Sequence, residues 1–302
     1  MFREARQLWQ LTPVGREEYR IGTVPNGGLL LVGAADVQKD RIEASIWAFG
    51  RGKESWLVEH RVLMGDTARD AVWKRLAELL AENWTHTSGA AMPLARFALD
   101  TGFATQEAYA FVRACRDPRV MPVKGVPRGA ALIGTPTAID VSQGGKKLRR
   151  GIKVFPVAGG IAKLEFYNNL RKGADVQEDG ISLRYPPGFV HLPKVDAEYL
   201  QQLCAEQLIT RRDRNGFAHR EWQKMRERNE ALDCRSYARA AGWIAGIDRW
   251  GEDRWEALET ELKDGAGSKR TSDRIVPQKE NTRPVSGARD GNWINRRRGW
   301  IK

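Results

Sequence analysis

Cysteine and histidine are scarce in this sequence, and the few that occur are not spaced as ligands. The three cysteines, Cys115, Cys204 and Cys234, lie far apart without a CxxC pair, and four histidines are scattered along 302 residues. This spacing argues against a disulfide framework and against a Cys/His zinc site. An odd number of separated cysteines is typical of reduced thiols in a cytosolic protein.

Long apolar runs are also missing. No run approaches the roughly 18 residues that a membrane helix requires, and the first ten residues, MFREARQLWQ, lack the apolar core of a secretory signal. Hydrophobic residues make up 41% of the chain and charged residues 29%, as is ordinary for a globular protein. We therefore expect no membrane partner and a cytoplasmic location, with enough chain for one large domain or two smaller ones.

Positive charge is in excess, with a formal net charge of +12. Residues 264–302 carry ten Lys and Arg against four Asp and Glu, so this segment supplies half of the excess. It is rich in Gly, Ser, Pro and Asn without apolar periodicity, which predicts disorder. Trp293, Ile294, Trp300 and Ile301 interrupt the basic run near its end. The pattern fits either a solvating basic end or a docking peptide that orders on a partner, and the charge indicates a polyanionic partner.

The body of the sequence begins with three successive strand-like segments. The links between them, QKD and GKE, are so short that we expect an antiparallel meander. An amphipathic helix, a strand, a second helix and a fifth strand follow. The predicted strands are 29–37, 41–51, 55–64, 92–102 (MPLARFALDTG) and 119–126 (RVMPVKGV), and the predicted helices are 66–84 and 105–116.

The second half of the chain alternates in the same way but less regularly. A basic hairpin or loop is predicted around SQGGKKLRRG (142–151), and its Lys and Arg are candidates to contact a polyanionic partner. A strand over 153–157, a helix over 162–170 and a short strand in GFVHLP (188–193) follow. Two more helices are predicted over 197–210 and 228–247, and we expect the latter to be the last.

A three-strand meander followed by helix, strand, helix and strand is the element order of ribonuclease-H-like α/β folds, in which helices flank a mixed central sheet. There the first and fourth strands are parallel neighbours, about 4.8 Å apart. Asp36 ends the first and Asp100 the fourth, so both carboxylates would project from one edge. This spacing suits two divalent ions ~3.5–4 Å apart, as in two-metal phosphodiester cleavage. Each Asp taken alone would be explained as a turn residue.

A third carboxylate is expected because oxygen-rich sites for Mg²⁺ or Mn²⁺ use several. Asp233 lies in the predicted last helix among small and apolar residues, in NEALDCRSYARAAG, where a solvated face explains it poorly. Glu230, one turn earlier, is an alternative or assisting ligand, although an exposed helix charge is the better explanation of it.

Several blocks of the sequence resemble the nuclease domain of GpA-type large terminase subunits from lambda-like tailed bacteriophages. They run in order from LLLVGAADVQKDR through ALDTG, VMPVKGV and PPGFVHLP to NEALDC, followed by a basic end with tryptophans. The resemblance implies an endonuclease that uses two Mg²⁺ or Mn²⁺ to cut concatemeric double-stranded DNA during genome packaging. It implies Asp36, Asp100 and Asp233 as the catalytic metal ligands and Lys124 of VKGV as a basic catalytic residue near them.

The resemblance also divides the chain and suggests its partners. Residues 1–28 correspond to a connector, 29–263 to the nuclease domain and 264–302 to a flexible basic tail that is a possible docking peptide. The implied partners besides DNA are the terminase small subunit and the portal of the prohead, reached through the tail. The implied location is the cytoplasm of the bacterial host.

Some interpretations stay open at this point. Gln38, Asp40 and Arg41 would shape the turn behind Asp36, with Asp40 as a direct ligand the lesser alternative. Lys124 is explained equally well as an exposed lysine at a strand end. The chain has no G-x-x-x-x-G-K-[ST] loop, so ATP-driven translocation is not expected of it. A Holliday-junction-resolvase-like nuclease and a non-catalytic packaging scaffold are the alternative functions.

Overall fold

A computed structural model of the chain describes residues 19–143, 146–179 and 181–272, without the side chains of 141–150 and 266–272. The strands are β1 (Thr23–Val24), β2 (Leu30–Val37), β3 (Arg41–Phe49), β4 (Ser55–Met64), β5 (Asn83–His86), β6 (Ala91–Pro93), β7 (Arg96–Asp100), β8 (Val120–Val126), β9 (Thr137–Gln143), β10 (Lys146–Ala158), β11 (Asp175–Val176), β12 (Leu183–Arg184), β13 (Val190–His191), β14 (Glu206–Arg212) and β15 (Ala218–Lys224). The helices are α1 (Asp70–Ala81), α2 (Thr105–Cys115), α3 (Gly159–Leu170), α4 (Ala197–Leu203), α5 (Glu230–Ala245) and α6 (Glu252–Ser272), with a short 3-10 turn at Arg51–Lys53. None of these helices is long and apolar enough to cross a membrane.

Eight strands form the central sheet, in the order β13-β4-β3-β2-β7-β8-β10-β9. β2, β3 and β4 are the predicted antiparallel meander. β2 pairs in parallel with β7, and β7 in parallel with β8. The run β4-β3-β2-β7-β8, with these directions, is the ribonuclease-H-like arrangement, so the predicted fold class is confirmed.

The central strand β2 is buried along its whole length because the sheet is covered on both faces. Val32 and Ala34 belong to one hydrophobic cluster and Leu31 to the cluster on the opposite face. This explains why the strand is almost continuously apolar instead of alternating with polar residues. At Gly33 an added Cβ would lie 2.5 Å from the ring of Phe97, so the missing side chain makes room for this buried ring.

Helix α5 lies across one face of the sheet, against β2, β3 and β7. Small side chains such as Ala231 and Ala238 are fully buried and allow this close approach. Arg235 is buried with them, 4.3 Å from the centre of the Trp47 ring, and donates to Ser55 Oγ at 3.0 Å. Burial lowers the pKa of the Arg235 guanidinium to about 9. The helix is therefore anchored to the sheet by packing along its length.

The predicted helix over 197–210 is wrong in its second half. α4 ends at Leu203, and β14 and β15 then form an antiparallel hairpin. The turn residues supply the reason. The Asp213 side chain accepts a hydrogen bond from the Phe217 backbone N–H at 2.9 Å, and Gly216 has a φ of +84°, which glycine adopts without strain. The sequence DRNG is therefore a hairpin turn.

Contrary to the prediction, α5 is not the last helix. Trp255 and Leu258 of α6 are buried in the cluster that contains α5. Because α6 continues to Ser272, the predicted boundary at residue 263 falls within a helix, and residues 264–272 of the predicted disordered tail are helical. Residues 273–302, with the tryptophans predicted to dock, lie outside the described residues.

Smaller differences concern where elements begin and end. The predicted helix over 66–84 ends at Ala81, and the chain then enters β5, which pairs with β1 and β6 in a three-stranded sheet. The predicted strand over 92–102 is divided into β6 and β7. The predicted basic hairpin is present as β9 and β10, and β10 includes the separately predicted strand over 153–157.

Part of the predicted connector is packed on the domain. The Tyr19 hydroxyl donates to the backbone oxygen of Leu57 at 2.8 Å, and β1 pairs in parallel with β5. Residues 1–18 lie outside the described residues.

Candidate active site

The carboxyl ends of β2 and β7 lie side by side. Ala35 is paired with Leu99 in the parallel register, so the next residue of each strand, Asp36 and Asp100, stands at the same edge of the sheet. Both aspartates are only 6% exposed. The structure thus brings together the two strand-end carboxylates as the sequence predicts.

Asp233 comes to this edge from the helix layer. It lies in the first turn of α5, and its charge contributes to raising the pKa of both Asp36 and Asp100. Its side chain is 26% exposed and accepts a hydrogen bond from Asn229 Nδ2 at 2.9 Å. All three predicted acids therefore belong to one electrostatic cluster.

Burial is the largest perturbation of these carboxylates. It raises the pKa of Asp36 well above its ordinary value, and the charges of Asp100 and Asp233 raise it further. The Gln38 amide opposes this by donating to Asp36 Oδ2 at 2.6 Å. Burial also raises the pKa of Asp100 to about 6, although the Gly102 N–H donates to it at 3.1 Å, and it raises the pKa of Asp233. Such a cluster favours the uptake of cations.

The donor chemistry of the cluster suits a hard divalent cation. Mg²⁺ and Mn²⁺ prefer carboxylate oxygens, and three are present on a buried edge. As the side chains stand, no group of three or more His, Cys, Asp or Glu in the described part of the chain forms a ready-made metal site. The three acids therefore suit a divalent cation by the type and burial of their oxygen ligands.

Tyr237 is a site residue that the sequence analysis missed. Its buried hydroxyl is hydrogen-bonded to Asp100, and burial together with the nearby acids raises its pKa far above the ordinary value. The hydroxyl therefore stays a donor. A Cβ on Gly125 would lie 2.9 Å from Tyr237 Oη, so the glycine makes room for it. In the sequence, Tyr237 could be identified as a site residue because it lies four residues after Asp233 and so shares its helix face.

Lys124 lies at the same edge of the sheet. Its neighbour Val123 on β8 is paired with Asp100, and Lys124 is the next residue toward the carboxyl end. The side chain is exposed. A phosphate-binding lysine and an ordinary strand-end lysine share this position, so its catalytic role stays a prediction.

The turn behind Asp36 is built as predicted. The Gln38 backbone N–H donates to the Arg41 backbone oxygen at 2.9 Å. Asp40 is 62% exposed and pairs with Arg41 at 2.7 Å, a position that does not support it as a metal ligand. Gln38 also contacts the site directly, through its hydrogen bond to Asp36.

Contrary to expectation, Glu230 is not an exposed helix charge. It is 5% exposed, and its carboxylate pairs with Arg41 Nη2 at 2.5 Å. Its charge is one of those that raise the pKa of Asp36, so it lies beside the cluster. Its place in the first turn of a helix looks solvated in the sequence, and tertiary contacts, among them those with Arg41 and Arg228, bury it.

Glu43, which is paired with Asp36 across β2 and β3, belongs to a different environment. It is fully buried and contacts Arg41 at 2.7 Å and His60 at 3.3 Å, with Arg228 as a third partner. Burial raises its pKa, but these partners outweigh burial and lower the pKa to about 2. Glu43 is therefore already neutralised by protein cations.

Two further charged residues reach Asp233, and the sequence analysis missed both. Lys163 Nζ on α3 lies 3.4 Å from Asp233 Oδ1 and 2.6 Å from Glu206 Oε1 on β14. Asn229 Nδ2 donates to Glu206 Oε1 at 3.0 Å as well as to Asp233. No sequence pattern joins these residues, because they come from three elements and the predicted helix over 197–210 concealed the start of β14.

The sheet order and the edge of buried acids define a ribonuclease-H-like domain with a candidate metal-ion active site. A family model described as "Terminase large subunit gpA, endonuclease domain" matches residues 5–255. The terminase large subunit of Escherichia phage lambda is 31% identical over 260 residues, 84% of this chain and 38% of that protein. The terminase large subunit of Enterobacteria phage P21 is 28% identical over 231 residues, 75% of this chain and 34% of that protein.

Two solved structures were also found. They are the large terminase nuclease domain of bacteriophage SPP1 with bound Mn (TM-score 0.34, 10% identity, 70% of this chain and 86% of that chain) and the large terminase nuclease of thermophilic phage G20c (TM-score 0.32, 14% identity, 70% and 80%). On the family match, the chain belongs to the terminase large subunit gpA endonuclease domains. It spans little more than a third of the length of the two curated relatives.

Proposed function

We propose that this chain is a metal-dependent endodeoxyribonuclease that cuts concatemeric double-stranded DNA for viral genome packaging. The observation that carries the proposal is the convergence of Asp36, Asp100 and Asp233 on one buried edge of a ribonuclease-H-like sheet, in a member of an endonuclease family. A purely scaffolding domain has no need for three mutually repelling carboxylates at one edge, two of them buried, whose ionisation opposes folding.

Asp36, Asp100 and Asp233 would hold two Mg²⁺ or Mn²⁺ ions. When bound, such ions supply a hydroxide at neutral pH and stabilise the charge that develops on the scissile phosphate. The chain's own donors described above, two side-chain amides, a backbone N–H and the Tyr237 hydroxyl, fix the orientation of the three carboxylates. Lys124, at the same edge, would hold the phosphate or offset its charge.

The surface around this edge suits a polyanion. The basic sequence KKLRR of β10 lies toward the opposite end of the sheet, because Phe155–Ala158 of β10 are the residues that pair with Val123–Val126 of β8. Nearer the acids, the β14–β15 hairpin carries Arg211, Arg212, Arg214 and Arg220 around its tip, against Asp213 and Glu221. β14 begins at Glu206, beside Asp233, so this hairpin starts at the acids. Lys and Arg in such positions hold DNA phosphates without reading bases.

The remaining assignments rest on family membership. Residues 1–28 would connect the nuclease to the rest of a longer packaging protein, and the C-terminal segment would dock to the portal of the prohead. The terminase small subunit is a second protein partner, and the host cytoplasm is the place of action.

A plasmid-nicking assay tests the proposal. Asp36→Ala, Asp100→Ala and Asp233→Ala should each lower nicking in Mg²⁺ or Mn²⁺ by several orders of magnitude, because each removes charge that organises the transition state. EDTA should abolish nicking by the wild type. Duplex affinity should stay similar or rise slightly, since a negative charge leaves a surface that faces phosphates.

Asp40→Ala is the matched control, because it removes an exposed aspartate four residues from Asp36 and should leave nicking within about twofold of the wild type. If all three site variants keep nicking within tenfold while melting like the wild type, the proposed active site is wrong and a scaffold role gains support. A dimer that cuts only branched DNA would favour the resolvase-like alternative.

A further inference from the structure

One of the three predicted metal ligands already has a cationic partner. Asp36 is held by the Gln38 amide and Asp100 by a backbone N–H and a hydroxyl, whereas Asp233 lies 3.4 Å from the Lys163 ammonium. The Lys163 side chain is 13% exposed, so water screens the pair only weakly. The cluster is therefore asymmetric, with one positive charge on its Asp233 side.

The second contact of Lys163 is a carboxylate that has no assigned role. Lys163 Nζ lies 2.6 Å from Glu206 Oε1, and the Glu206 side chain is 8% exposed. Asn229 joins the two acids by donating from the same Nδ2 to Glu206 and to Asp233. One ammonium thus lies between a buried and a half-buried carboxylate, the position in which a divalent cation would bind two ligands at once.

We propose that Lys163 is a built-in counter-ion for the Asp233 half of the site, and that Glu206 is a fourth carboxylate ligand which becomes available when Lys163 withdraws. This inference rests on the proposed function. Lysine suits such exchange because its charge is compact and its stem flexible, whereas a planar arginine would be held in a fixed fork. A divalent ion replaces one positive charge with two and keeps Glu206 neutralised.

The two halves of the site should consequently differ in metal affinity. An ion binds the Asp36–Asp100 half directly, whereas an ion that binds the Asp233–Glu206 half must displace the Lys163 ammonium. Titration of the wild type with Mn²⁺ in a calorimeter should give two unequal sites. Lys163→Met should strengthen the weaker site at least tenfold and change the stronger site less than twofold.

Lys224→Met is the control for general electrostatics. Lys224 is paired with Glu206 across the β14–β15 hairpin, and its charge acts on Asp233 through space. Removing it makes the same change of net charge and should strengthen the weaker site less than threefold. Glu206→Gln should weaken that site more in the Lys163→Met background than in the wild type, because in the wild type the variant also removes the Lys163–Glu206 contact that ion binding must break.

A direct measurement needs no change in the binding residues. In protein labelled with ¹⁵N-lysine, the ammonium signal of Lys163, assigned by its loss in Lys163→Met, should shift or disappear at saturating Mg²⁺. If Lys163→Met does not fold, Lys163→Gln, which keeps a donor to Glu206, replaces it in both experiments.

The outcomes separate this inference from the proposed function. If the wild type binds neither Mg²⁺ nor Mn²⁺ and does not nick DNA, both the proposed function and the counter-ion proposal are wrong. A wild type that binds ions and nicks, with an unchanged Lys163 signal and Lys163→Met no tighter than Lys224→Met, overturns the counter-ion alone.

Discussion

Two acidic residues that are both buried can differ widely in pKa, because different groups contact them. Glu43 and Asp100 are both buried acids on the central sheet, yet the pKa of Glu43 is lowered to about 2 and that of Asp100 is raised to about 6. Protein cations surround Glu43, whereas Asp100 has only neutral donors and other acids nearby. Glu43 therefore belongs to a structural ion pair, whereas an added cation would stabilise the ionised form of Asp100.

Asp100→Asn should raise the melting temperature in EDTA. Because the folded-state pKa of Asp100 lies near 6, above the ordinary 3.8, ionisation opposes folding at neutral pH, by roughly 3 kcal/mol. Below pH 3.8 the carboxyl group is protonated in both the folded and unfolded states and the effect is absent. It grows between pH 4 and 6 and is complete above that.

Melting curves of wild type and Asp100→Asn across pH 4–8 check this. With Mn²⁺ at 100 times its dissociation constant, the wild type should gain about 2.7 kcal/mol and the variant much less. Curves that overlay at every pH, with and without Mn²⁺, would make Asp100 an ordinary strand-end residue.

Glu43→Gln should show the opposite pH dependence. The lowered pKa of Glu43 means that its ion pairs stabilise the fold fully above pH 4.5 and lose this effect as the pH falls through about 2. At pH 7 the variant should lose about 3 kcal/mol, because it removes the buried negative charge that Arg41, Arg228 and His60 share. Urea denaturation at pH 7 and pH 2.5 measures the difference. A loss that is equal at both pH values would contradict the ion-pair assignment.

Among the secondary-structure elements, the β14–β15 hairpin exposes an unusual tip. Phe217 is 72% exposed beside basic residues, while Asp213 and Gly216 fix the turn. An aromatic side chain in a basic hairpin suits contact with DNA bases. Phe217→Ala should therefore weaken duplex binding roughly tenfold without changing the melting temperature.

Fluorescence anisotropy with labelled duplex in EDTA measures this affinity. Ile181→Ala is the control, since Ile181 is 86% exposed beside another hairpin, β11–β12. Equal affinities for the two variants would exclude the Phe217 contact.

The same elements show what the sequence could predict. Asp36 and Asp100 were found because strand order and strand ends are properties of local pattern, and parallel pairing then brings them together. Asp233 was found because a carboxylate among small apolar residues is hard to explain as solvated. The fold followed from the same element order.

What could not be predicted depends on contacts between side chains far apart in the chain. Lys163 and Glu206 meet at Asp233 only after α3, β14 and α5 have packed. The burial of Glu230 depends on tertiary contacts, which leave no mark on helix periodicity. The start of β14 resembles a helix in the sequence because apolar spacing over so short a segment suits either structure, and only the DRNG turn distinguishes the two.

For the whole molecule, the described core ends with α6, which supplies buried Trp255 and Leu258. A chain ending at Ser272 should therefore melt within about 2 °C of the full chain, since it keeps every described contact. The removed residues, 273–302, carry eight Lys and Arg against three Asp and Glu, so net charge falls from +12 to +7.

Nicking by the shortened chain at low salt with excess DNA should equal that of the full chain, while its duplex affinity should be lower and less dependent on salt. Loss of nicking under these conditions would show that the C-terminal residues take part in catalysis.

The anchoring of α5 also has a consequence for synthesis. Asp233 follows Asp36 by 197 positions in the chain, and α5 is held by Arg235 between residues of strands made much earlier. Domains begin to fold while the ribosome is still adding residues. A nascent chain that has emerged only as far as β13 holds Asp36 and Asp100 but lacks the third acid. The complete set of three acids therefore forms late in translation, when α5 covers the sheet, so on the proposed function a prematurely terminated chain should have no nuclease activity.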